Sequence, residues 1–304
     1  MSLWRTGAGG ENPAGESAAG TGGAGRPDAR TLVALLERRP LTAMIDATPE
    51  IRRVVDALVA LGPEAVQPLV DSLPRGGVAA RAALVRIRDA AVPPLVEALY
   101  GPDPSVTPLA LDVLDQISRS LVRALSDGRQ RDRAAQLLQL IGAPATWHVA
   151  GALWDPGVGF VAAAVLADIG EPSVTPLVAA LDQALRGDLT SGQQTVSVAA
   201  WALGRIGDGA VDPLLDLLYD GSRLETVRSG AAYALVQVGR PAVPGLLEAL
   251  DSAEALVRRE AAVALGEIGD RSAMSALRGL LHDDVADVRA AAQRALVKLV
   301  ETGD

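Results

Sequence analysis

The sequence predicts an all-α solenoid, a superhelix of about eight to nine stacked antiparallel helix pairs, and three observations predict it. First, the stretch Ala-Ala-Trp-Ala-Leu-Gly-Arg-Ile-Gly-Asp at 199–208 returns as Ala-Ala-Tyr-Ala-Leu-Val-Gln-Val-Gly at 231–239 and as Ala-Ala-Val-Ala-Leu-Gly-Glu-Ile-Gly-Asp at 261–270. A segment copied at a regular period is one structural unit repeated along the chain. Second, the Leu of that stretch, a ruler for the repeat, recurs at Leu58, Leu84, Leu114, Leu138, Leu166, Leu203, Leu235, Leu265 and Leu296, each followed three residues later by another aliphatic. An i, i+3 aliphatic pair with small residues one turn earlier makes an apolar stripe at helical spacing. Third, the chain is 49% hydrophobic but only 3% aromatic. Its apolar stock is Ala, Leu and Val, which suits close helix–helix packing.

Taken in order, residues 1–29 are rich in Gly and Ala without periodicity, the composition of a disordered tail, with Trp4 as its one aromatic residue. Residues 30–48 read as a capping helix region, with Leu32, Leu35 and Leu36 on one face and Pro40 after them. The repeats fill 49–304. A turn follows each first helix, as at Gly62-Pro63, Gly142-Ala-Pro144, Gly170-Glu-Pro172, Gly207-Asp208, Gly239-Arg-Pro241 and Gly269-Asp270. A second helix then opens with patterns such as Ala-Val-Gln-Pro-Leu-Val at 65–70 and Ala-Val-Asp-Pro-Leu-Leu at 210–215. Proline is tolerated there because first-turn N–H groups have no helical acceptor. The third unit lacks the Gly-Asp turn, so its second helix, about 119–126, is expected to be abbreviated or skewed. Residues 183–194 are an insertion, expected as a surface loop, with the adhesion-like triplet Arg186-Gly187-Asp188 inside it.

The motif Val-Arg-x-x-Ala-Ala-x-Ala-Leu-Gly-x-Ile-Gly-Asp-x-x-Ala-Val-x-Pro-Leu, clearest over 227–247 and 257–277, resembles the HEAT-like repeats of phycobilisome lyases. The resemblance covers about residues 50–300 and implies an armadillo-like helical scaffold. It implies no single function, because repeats of this kind serve enzymes, adaptors and scaffolds alike.

Composition excludes several chemistries. There is no Cys, so no disulfide framework and no thiolate nucleophile, and His148 and His282 are the only histidines. No cofactor or metal set is expected, and no catalytic constellation stands out. A net charge of -9 argues against a nucleic-acid partner. No run is long enough to span a membrane, and no signal-peptide pattern is present, so a cytoplasmic setting is expected. A single Lys298 among many arginines suggests GC-rich, bacterial codon usage.

In stacks of this kind the second helices line the concave face. The outward position of each second helix reads Asp71, Glu97, Gly151, Ala179, Asp216, Glu248 and Gly279, with Asp182, Asp212, Asp220 and Asp251 nearby. An acidic groove of this sort would attract a protein partner with a basic segment; the plainer role of such acids is solubility. Trp147 is expected on the inner face beside His148, and Trp154, Tyr219, Tyr100 and His282 at the ends of second helices. Trp201 and Tyr233 sit two residues before the ruler Leu, about 200° around the helix from it, and so are expected outside the core as a contact patch. Arg52, Arg81, Arg228, Arg258 and Arg289 form a basic column, expected to make inter-repeat ion pairs, with Asp284 or Asp287 for Arg289.

These features favour a non-catalytic adaptor or scaffold. The alternatives are a bilin-lyase-like enzyme component acting on an acceptor protein, a deoxyhypusine-hydroxylase-like iron enzyme and an alkylpurine-glycosylase-like DNA binder. The iron enzyme's His-Glu pairs are missing, since His148 precedes Val149 and His282 precedes Asp283. The acidic column opposes the DNA binder.

Overall fold

A computed structural model describes residues 27–38, 49–186 and 189–301, with side chains omitted for 189–191. The tail with Trp4, residues 39–48 of the capping region, and Gly187-Asp188 of the triplet lie outside the described residues. Among the described residues there is no strand, and the fold is the expected all-α solenoid. Helix α1 (Ala29–Glu37) is N-capped by Asp28, whose Oδ1 accepts from Thr31 N at 2.7 Å, and it packs on the first repeats. The repeats run through α2 (Pro49–Leu61), α3 (Val66–Asp71), α4 (Leu73–Ile87), α5 (Val92–Leu99), α6 (Thr107–Ala124), α7 (Arg131–Ile141), α8 (Thr146–Gly151) and α9 (Gly159–Ile169). They continue through α10 (Val174–Arg186), α11 (Leu189–Ile206), α12 (Val211–Tyr219), α13 (Glu225–Val238), α14 (Val243–Ala249), α15 (Ala255–Ile268), α16 (Met274–Gly279) and α17 (Ala286–Glu301).

The ruler leucines form the spine of the core. Those from Leu58 to Leu265 are all 0% exposed; Leu296, in the last helix, is half-buried. Four residues after the ruler Leu, the backbone decides whether a helix ends. Gly62, Gly142, Gly170, Gly207, Gly239 and Gly269 stand there with φ between 61° and 83°. Only glycine enters that region without steric cost. A short 3-10 turn follows, and the second helix begins. Arg88 holds the same position in the second repeat with φ 56°, so a side chain occupies a conformation suited to glycine.

In the third repeat the position is Ser118. It is buried and helical, and its Oγ donates to Leu114 O at 2.7 Å. The chain therefore does not turn. The expected separate second helix about 119–126 is absent, and its first residues continue α6. This has a consequence for the whole stack. Each helix packs on the helix two places along: α2 on α4, α4 on α6, α6 on α8, α8 on α10, α10 on α12, α12 on α14. The other layer runs α3, α5, α7, α9, α11, α13, α15, α17. Because one helix is missing, first helices belong to the even layer before α6 and to the odd layer after it. The single face lined by every second helix, expected from the sequence, is divided between two layers.

The insertion is also corrected. Its residues lengthen α10 to Arg186 and open α11 at Leu189 rather than forming a long loop. The two helices approach so closely that a Cβ on Gly192 would lie 2.5 Å from Ala184 O. Close approach likewise explains the Gly that follows the ruler Leu: a Cβ on Gly204 would lie 2.4 Å from Gln237 O of α13.

Two substitutions test this account. Arg88→Gly is expected to stabilise the protein by about 1 kcal/mol, read as a raised denaturation midpoint, because it relieves a positive φ at the expense of a half-exposed ion pair with Asp89. Gly204→Ala should destabilise the protein by about 1–3 kcal/mol, read as a lowered midpoint, despite its better helix propensity, because α13 must move away.

Candidate functional site

The basic column is structural, and its acceptors are both backbone carbonyls and carboxylates of neighbouring repeats. Arg228 is buried; its Nε donates to Leu218 O at 2.7 Å, and its Nη2 reaches Glu254 of the next repeat at 2.6 Å. Arg258 donates Nη1 to Ser252 O at 2.8 Å and grips Asp283 with both Nε, at 2.8 Å, and Nη2, at 2.9 Å. Arg289 was expected to meet an Asp side chain; its Nη1 instead donates to the carbonyls of Asp283 at 2.7 Å and Asp284 at 3.1 Å. Arg131, unnoticed in the sequence although it too stands seven residues before its ruler Leu, donates to Leu125 O at 2.9 Å. These arginines satisfy carbonyls at or just past the C-terminal ends of the preceding helices, where no helical donor is left. Arg81 pairs with Asp112 at 2.7 Å, and Arg52 is exposed.

The fork from Arg258 holds the Asp283 carboxyl well below the ordinary carboxylate range, at about 2. Asp220, bonded by Ser222 and Arg223, is also lowered to about 2. Asp182, near the predicted groove, is likewise committed to Arg186 at 2.9 Å and to Arg223 at 2.5 Å.

The ten candidate contact residues fall on two faces. Trp147, Trp154, Asp212, Asp216, Tyr219 and Glu248 are exposed on or beside α8, α12 and α14, in the even layer. Asp71 and Glu97 are exposed on α3 and α5, in the odd layer, which also carries Trp201 and Tyr233 on α11 and α13. The acidic column is therefore two acidic patches pointing away from each other.

On the even face, Asp212, Asp216 and Glu248 have no ion-pair partner among the described residues. Glu248 lies near enough to Tyr219 to reinforce the upward shift that burial imposes on its phenol. His148 is held by Asp115 of α6, which also binds Arg119 at 2.5 Å. The His148 hydrogen bond, ahead of Arg119, lowers the Asp115 carboxyl. This joins α8 to α6 across the point where the layers exchange roles, and gives His148 a structural partner. Trp147 beside it is 60% exposed.

On the odd face, Trp201 is half-buried rather than fully outside. Its ring partner is Phe160 of α9, with centroids 4.8 Å apart, and the Arg205 guanidinium lies 5.3 Å from its centroid. Tyr233 is 44% exposed. Sequence reading had not connected Phe160 to this patch; six residues before a ruler Leu is a different helical position from that of Trp201. Nearer the N-terminus, a groove of about 440 Å³ lies between α3, α5 and the loop before α6. Val70, Ala98 and Val106 contribute its apolar lining, and Asp71, Glu97 and Asp103 its carboxylates. Among the described residues, no group of three or more His, Asp or Glu side chains is placed to hold a metal ion.

Residues 221–297 match the family described as HEAT repeats, and residues 197–220 match PBS lyase HEAT-like repeat. The helix pairs around the buried ruler leucines are the unit those families describe. Over residues 197–297 the chain therefore carries HEAT-type repeats. No curated protein matches the sequence significantly. Among solved structures, human deoxyhypusine hydroxylase in complex with glycerol is 22% identical, covering 90% of this chain and 97% of that one at a TM-score of 0.34. An engineered protein is 23% identical (89% and 84% covered, TM-score 0.29). The archaeal HEAT-like repeats protein from Thermococcus onnurineus NA1 is 11% identical (82% and 98% covered, TM-score 0.28). No helix among the described residues is long and apolar enough to cross a membrane.

The depressed Asp283 and Asp220 carboxyls predict an acid limb of stability. A folded-state value below the unfolded one stabilises the protein above the ordinary carboxylate range, and that contribution is lost as pH falls from about 4 towards 2. Thermal midpoints measured across this window should fall for the wild type. Asp283→Asn should start from a lower midpoint at neutral pH and show a shallower acid decline.

Proposed function

We propose that the protein is a non-catalytic adaptor that captures a protein partner bearing a basic segment on the even-layer face of its C-terminal repeats. The observation that carries this reading is the contrast in how carboxylates are used. At the repeat junctions acids are consumed by arginines, as at Arg228–Glu254 and Arg258–Asp283. On α12 and α14, Asp212, Asp216 and Glu248 are exposed and lack ion-pair partners among the described residues. Unpaired like charges on neighbouring helices destabilise the protein slightly by repulsion and raise its potential for a cationic ligand. Tyr219, with its hydroxyl protonated at neutral pH, adds a flat amphipathic surface beside Glu248. Trp147 and Trp154 extend the same face towards α8. Aromatic anchors flanked by charge are the usual make-up of interaction hot spots. A cytoplasmic location belongs to this same reading.

The test uses a defined probe. A fluorescent peptide alternating arginine and alanine is expected to bind the wild-type chain in a salt-dependent manner. Asp216→Lys combined with Glu248→Lys should weaken binding at this face at least ~10-fold while the helical circular dichroism stays unchanged. A double variant that binds as many peptides as the wild type, with equal affinity, rules the even face out as the basic-segment site.

A further inference from the structure

The exchange of layers at α6 separates Asp71 and Glu97 from the acids just described, and places them on the opposite face. They are not isolated there. They lie on the groove of about 440 Å³ between α3, α5 and the loop before α6, whose volume falls within the ~300–1,000 Å³ of ligand-sized clefts. Val70, Ala98 and Val106 give it an apolar lining. Glu97 is exposed and has no ion-pair partner among the described residues. Asp71 is bonded only to the neutral Gln67 amide, at 2.8 Å, so its charge is not neutralised. Asp103 accepts from Ser105 N at 2.9 Å and Ser105 Oγ at 2.7 Å, bonds that orient its carboxylate without cancelling it.

An apolar lining with carboxylates around it matches one kind of side chain best. The stem of an arginine lies along apolar surface while its planar head takes two carboxylate oxygens. We infer that this groove is a second docking site for an arginine-bearing basic peptide segment, facing away from the first, so that the protein engages two basic segments at once and bridges them. The inference rests on the reading of the protein as a basic-segment adaptor, and it adds a separate site, an opposite orientation and a valency of two. Two sites on opposite faces cannot be occupied by one short segment, so the chain would join two partners rather than wrap one.

Titration calorimetry with the same arginine–alanine peptide, on the whole chain, tests it. Wild type is expected to take up two peptides. Asp71→Lys with Glu97→Lys should retain one, Asp216→Lys with Glu248→Lys should retain one, and the quadruple variant none. Asp71→Asn with Glu97→Gln repeats the test at unchanged size, and thermal midpoints check that each variant folds. Asp287→Lys with Glu301→Lys, both on α17, alters net charge equally and should leave two sites. One peptide bound to wild type, lost only with Asp216 and Glu248, overturns the second site and leaves the proposed function standing. Binding lost only with Asp71 and Glu97 overturns the even-face reading and keeps the groove. Loss that follows net charge wherever the lysines are placed overturns both.

Discussion

The backbone four residues after each ruler Leu controls this architecture. Where it adopts positive φ, the first helix ends, a short 3-10 turn follows, and the chain returns as a second helix. Glycine accepts that conformation without cost, and Arg88 is held in it by its surroundings. Where the residue stays helical, as at Ser118, the repeat loses its second helix and everything downstream changes layer. Stacked repeats contact only their neighbours, so a local change of this kind is carried along the stack without disturbing the core. The ruler leucines on both sides of α6 remain fully buried.

The electrostatics follow the same division between stacking and display. Arginines seven residues before the ruler Leu reach back to carbonyls at the ends of preceding helices, and some reach forward to an acid of the next repeat. The Arg258–Asp283 fork is the strongest of these by geometry, two parallel bonds between largely covered groups. Asp212, Asp216 and Glu248 lie outside this system, on the exposed faces of the short second helices. Their separation from the arginine ladder, rather than their number, distinguishes them.

Much of this was legible in the sequence, and the gaps have physical causes. The burial of Leu203 and the turn at Gly207 follow from period and residue type alone. The third repeat was flagged by its missing Gly, but whether Ser118 turns or continues depends on a side-chain bond to Leu114 O, and serine supports either outcome. The division of the acidic column follows from that one residue, so periodicity could not reveal it. Trp201 was placed outside the core by its rotation about the helix; its cover, Phe160, comes from another repeat and another motif position. Arg289 was matched to acids because side-chain charges are visible in a sequence and the directions of carbonyls are not.

Helices α5 and α7 share a layer, and α8 lies in the other. The chain has no cysteine, so spin labels can be attached at introduced cysteines without background. Pulsed electron resonance would compare the distance from Glu97→Cys to Leu140→Cys on α7 with that from Glu97→Cys to Gly151→Cys on α8. All three positions are exposed. The first distance should be the shorter by about 10 Å, the spacing of one helix layer. A shorter distance to position 151 would show that the second helices form one continuous face, and would contradict the exchange of layers at α6.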